Sequence, residues 1–64
     1  MWTAVYMATG LENAQEVEKK LKREGFLVKI KYFAQEGEDE LYEIMAPEFE
    51  ADDVQEAMIE LGII

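Results

Sequence analysis

The sequence predicts an α+β sandwich in the order strand, helix, strand, strand, helix, and three observations carry that reading. Residues Met1 to Ala8 form an apolar run broken only by Thr3. Two later stretches, Leu11, Ala14, Val17, Leu21 and Ala51, Val54, Met58, Leu61, repeat apolar residues at three- and four-residue steps, the stripe of an amphipathic helix. Between them the period falls to two, the spacing of a half-buried strand.

Each element can be justified in turn. The opening run reads as a strand apolar on both faces, because Trp2, Ala4, Val5, Tyr6 and Met7 leave no polar side to turn to water. Thr9-Gly10-Leu11-Glu12 has the spacing of a capping box, so a helix is expected from Gly10 to Glu24. Glu16 with Lys20 and Glu18 with Lys22 are i,i+4 pairs in the favourable order, and Gly25 supplies a left-handed stop. From Phe26 a second strand is expected, with Phe26, Val28, Ile30 and Tyr32 on one side and Leu27, Lys29, Lys31 and Phe33 on the other. The acidic stretch Ala34 to Glu40 breaks the alternation and reads as a hairpin loop too long for a two-residue turn. A third strand follows over Leu41 to Ala46, with Glu43 on a polar face where Lys29 or Lys31 would meet it. Pro47 ends that strand, a second helix starts near Glu50 with Asp52 and Asp53 at its positive end, and Gly62 closes it before Ile63 and Ile64.

A right-handed crossover through the first helix makes strands one and two parallel, and both single-striped helices must cover the same sheet face. Placing the third strand antiparallel between the other two gives a split β-α-β arrangement, a ferredoxin-like sandwich whose fourth strand is short or missing. All of residues 1–64 then form one domain, small enough to need help from association. The open edge of the first strand, long and free of lysine or proline, invites another chain. Self-association as a homodimer or larger assembly is therefore expected through Trp2, Val5, Met7, Leu27, Phe33, Leu41 and Met45. The competing reading pairs Ile63 and Ile64 as a short fourth strand and leaves a monomer.

Composition narrows the function classes. The net charge of −9 opposes binding to nucleic acid or to an anionic membrane surface. No apolar run approaches the ~20 residues of a membrane span, the start does not read as a signal peptide, and a cytoplasmic protein is expected. All six basic residues lie between Lys19 and Lys31, so residues 32–64 carry eleven acids and no base. That cluster reads either as cations at the negative end of a helix or as a basic face for self-association.

With no histidine, cysteine or serine, the usual nucleophiles, the commonest general base and the commonest metal ligands are missing, so catalysis, a cofactor and a structural metal are not expected. The loop Glu36-Gly37-Glu38-Asp39-Glu40 lacks the ligand pattern of a calcium loop and reads as a solubilising tip. Thr9, Gly10 and Asn13 form the candidate small-molecule site, since a helix N-terminus just past a strand offers free N–H groups to an anion or amino acid. The alternative is that Thr9 only caps the helix.

The segments "MWTAVYMATG", "LKREGFLVKI" and "LYEIMAPEFEADDVQEAMIEL" resemble a family of very short bacterial and archaeal proteins, a domain of unknown function catalogued as signal-transducing. The family layout is a strand ending in a small polar residue, a helix closing with Glu-Gly, and a strand ending Val-x-Val-Pro-Glu before an acidic helix. The resemblance spans nearly the whole chain, with Glu24-Gly25 as the helix stop and Pro47-Glu48 as the helix start. This chain departs from it in Met45-Ala46 before Pro47 and in Phe49, where a short capping residue is common. The resemblance implies a PII-like, ferredoxin-like fold and a signal-transduction role through protein contact. The alternative class is a PII-like or ACT-like sensor holding an amino acid or anion at the first strand–helix junction. No nucleotide-binding motif accompanies it, and Ala34 to Glu40 is much shorter than the recognition loop of nitrogen-regulatory PII proteins.

Overall fold

A computed structural model describes all 64 residues. Its elements are β1 (Trp2–Thr9), α1 (Leu11–Arg23), β2 (Lys29–Glu36), β3 (Asp39–Pro47), a 3₁₀ turn (Glu48–Glu50) and α2 (Ala51–Glu60). The three strands form one antiparallel sheet in the order β1-β3-β2, so β3 splits the β1-α1-β2 unit. Both helices bury their stripes on one face of it. Ala14, Val17 and Leu21 of α1 and Val54, Ala57 and Met58 of α2 share a single core with Ala8, Tyr42, Ile44 and Ala46 of the strands. Four of these are alanines, short enough to let the helix axes sit close to the sheet. The Cα extents are 32 × 25 × 15 Å, and the shortest spans one helix layer and one sheet; a further layer would add about 10 Å.

Several local expectations are corrected. Thr9 does not cap α1: it stays in β1, paired with Leu41, and the N-cap is Gly10 at φ 86°, ψ 142°, without any side-chain cap. The strand ladder holds Thr9 extended, and only the next residue can make the turn, in a conformation open to glycine. The acidic hairpin loop is short after all. β2 runs to Glu36 and β3 begins at Asp39, leaving Gly37 and Glu38 as a two-residue turn with Gly37 at φ 63°, the positive angle that its first position takes in a type II′ turn. The acids of the loop are thus mostly ladder residues on an exposed hairpin arm, where alternation is not enforced by burial.

β2 starts at Lys29 rather than Phe26 because the chain there is still tied to the end of α1. Gly25 N donates to Lys22 O (3.0 Å) and Phe26 N to Leu21 O (3.1 Å), the paired bonds of a Schellman stop. The same motif closes α2, with Gly62 N to Ile59 O (3.1 Å) and Ile63 N to Met58 O (2.8 Å). Ile63 and Ile64 form no strand; Ile63 packs on the core and Ile64 is exposed. Of the two expected ion pairs on α1, Glu18–Lys22 forms at 3.3 Å. Leu11 and Leu61, expected in the helix stripes, lie at their exposed ends.

The pairing register breaks twice, between Ala4 and Tyr6 in β1 and between Tyr32 and Ala34 in β2. The first break sets which residues of the opening strand face inward. Thr3, Tyr6 and Ala8 pair with Ala46, Ile44 and Tyr42 of the inner face, Val5 is the extra residue, and Ala4 and Met7 pair with Met45 and Glu43 of the outer face. The strand is thus apolar on both sides, but the change of parity midway decides which residue faces which.

Candidate interaction face

The outer face of the sheet carries no helix. β3 presents Leu41, Glu43 and Met45 there; β1 adds Ala4, Met7 and Thr9 in register with them, and β2 adds Lys29 and Lys31 opposite Met45 and Glu43. Phe33 is the extra residue of the second register break, beside the Ala34–Leu41 pair. Because the strands are paired, these side chains form one continuous surface.

Its two ends differ. At one end Lys29 Nζ lies 4.2 Å from the centroid of the Trp2 ring, a cation–π contact that reaches from β2 over the central strand to β1. Under that clasp Pro47 is buried and Met45 half-buried. At the other end nothing crosses, and Phe33 (54%) stays exposed near half-buried Leu41, with Met7 (42%) exposed one row nearer the middle. Between the ends lies a charged row. Lys31 is the registered partner of Glu43, yet the two form no ion pair, the only one in the structure being Glu18–Lys22. Glu43 thus meets Lys31 across the ladder as expected, but without an ion pair: Lys29 is turned to Trp2, and Lys31 and Glu43 stand side by side.

Of the residues expected at a self-association surface, Trp2, Met7, Phe33, Leu41 and Met45 are brought together. Val5 and Leu27 are not. Val5 is 8% exposed and belongs to the core, since the register break turns it inward, and Leu27 is exposed in the connection before β2. The β1 edge is also less uniform than its sequence suggests. Gln55 Nε2 of α2 donates to Val5 O at 2.8 Å, so a helix side chain occupies a strand carbonyl at the irregularity. The six basic residues likewise do not form one patch, because Lys29 and Lys31 sit on the sheet and the other four on α1.

At the candidate ligand site, Thr9 and Asn13 are exposed and Gly10 N is already committed to Glu40 O at 2.7 Å, which ties the hairpin to the strand–helix junction. No cavity opens there. The one cleft lies at the far end of α1, where Glu24, Asp53, Glu56 and Glu60 surround Phe26 and Ala57; its carboxylates do not converge closely enough to form a metal-binding group. Sequence reasoning missed this cleft because its acids come from two helices packed side by side.

On the inner side, Tyr32 and Tyr42 meet edge to face with centroids 5.7 Å apart, and the Tyr42 hydroxyl donates to Glu40 Oε1 at 3.1 Å. Burial raises the Tyr42 phenol above its ordinary 10.0, and its hydrogen bond to the Glu40 carboxylate and that group's charge raise it further. Comparison with protein-family models, curated proteins and solved structures found no match for this chain.

Proposed function

We propose that this protein is a non-catalytic binding module that acts through the open face of its sheet, by contact with a protein partner or with another copy of itself. The observation that carries this reading is the uncovered surface of Met7, Phe33 and Leu41 on a sheet whose other face packs against both helices. The β-α-β-β-α order and the β1-β3-β2 sheet support a ferredoxin-like fold without its fourth strand, and the resemblance noted above supports a signal-transducing role. No helix is long and apolar enough to cross a membrane. A sensor site at Thr9, Gly10 and Asn13 is the alternative class; a dose-dependent rise in melting temperature with an amino acid or a small anion would support it.

The test uses a photo-crosslinking residue placed at Phe33, at Met7, or at Glu56 on α2, in cells making the protein. Adducts from Phe33 and Met7 but not from Glu56 are expected. Adducts from Glu56 alone, or from none of the three, would overturn the reading.

A further inference from the structure

The charged row says which partner the open face fits. Resting on the docking reading above, we propose that the face receives a second copy of this chain, across a two-fold axis running parallel to the strands between β2 and β3. Such an axis lays β3 of one copy over β2 of the other at unchanged height. Lys31 and Glu43 occupy the same height, as registered partners on those two strands, so each Lys31 comes to face the Glu43 of the other copy. The neighbouring row places Leu41 over Ala34 of the second copy, an apolar contact on the unclasped side.

Three other placements fail on charge. An axis along β3 sets Glu43 over Glu43, as does one across the strands at that row, and an axis across the strands one row toward Met45 sets Lys31 over Lys29. Like charges held face to face in an interface oppose association. Packed sheets lie about 10 Å apart, a gap that a lysine and a glutamate reaching from opposite sides can bridge. The inclination of about 30° between packed sheets displaces side chains least near the axis, where this row lies. The arrangement also accounts for two opposite charges left adjacent but unpaired in the single chain: each has its partner in the other copy.

The test is a charge exchange read by sedimentation. The native chain is expected to be a dimer, and Lys31→Glu or Glu43→Lys alone is expected to weaken it at least about tenfold, since either change sets like charges opposite each other. An equimolar mixture of the two variants is expected to form a mixed dimer about as tight as the native one, because both contacts between the copies are again between opposite charges. Circular dichroism establishes that each variant is folded, and a single chain carrying both changes, expected to dimerise like the native one, serves if either variant is not. A native chain that stays monomeric even at about 1 mM, the weak limit of specific binding, overturns the proposal. So does a native dimer that the single changes leave intact, or variants that do not associate when mixed. A monomer that still crosslinks to another protein from Phe33 removes the second copy and leaves the docking reading standing; crosslinks from α2 alone remove both.

Discussion

The central strand shows both faces of the sheet within three dipeptides. Tyr42, Ile44 and Ala46 point to the helices and are buried, while Leu41, Glu43 and Met45, each one residue before them, point outward and none is buried. Leucine and methionine are as apolar as isoleucine, so composition does not make the difference. What differs is the layer overhead: helices cover one face, and only the Lys29–Trp2 clasp crosses the other. The inner face holds the fold together and the outer one is left without helix cover, which separates stability from the proposed association residue by residue.

Substitutions can sharpen or break that division. The largest effect is expected from Ile44→Ala, which removes a fully buried side chain from the middle of the core. A loss of about 2–5 kcal/mol would take most of the stability of so small a domain and leave no cooperative thermal transition. Met7→Thr, on the outer face of the adjoining strand, is expected to change stability by no more than about 0.5 kcal/mol in denaturant titration; a core-sized loss there would mean the outer face is structural. Gly10→Ala is expected to cost more than about 1 kcal/mol, because alanine strains at φ 86° whatever the space around it. Gln55→Ala, which leaves the Val5 carbonyl without its donor, is expected to cost about 1 kcal/mol with the outer face unaltered.

The smallest effect concerns pH. The Tyr42 phenol is raised in the folded state, so it adds stability that is fully present below its unfolded value near 10.0 and is lost as pH rises through the higher folded value. A melting temperature that declines above about pH 10 more steeply in the native chain than in Tyr42→Phe is the expected result.

Much of this architecture was legible in the residues. The two helix stripes, the glycine stops at Gly25 and Gly62, the end of the third strand at Pro47 and the antiparallel place of that strand all follow from spacing and backbone chemistry. What escaped has a physical cause in each case. A register break changes which side of a strand faces in without altering its composition, so Val5 was expected on a surface when it lies in the core. The hairpin arm beyond Tyr32 lies past the cover of the helices, so its residues carry no alternation and read as loop. Lys29 and Trp2 meet across three strands, a contact that exists only once the sheet is assembled. The outer face was legible as a set of apolar positions. Its charged row emerged only with the register that sets Lys31 beside Glu43.

The split order of the sheet also governs how the chain emerges from a ribosome. β1 and β2 do not pair with each other, and each waits for β3. At about 5–20 residues per second, roughly 2–8 s separate the synthesis of Thr9 from that of Pro47, and through that interval the apolar first strand has no sheet partner in its own chain. The helix that follows it, ready to form within microseconds, is the only early cover available. A sandwich whose third strand is its keystone therefore cannot close its sheet until β3 has been made, and its exposure to chaperones and to neighbouring nascent chains is set by the distance in sequence from β1 to β3.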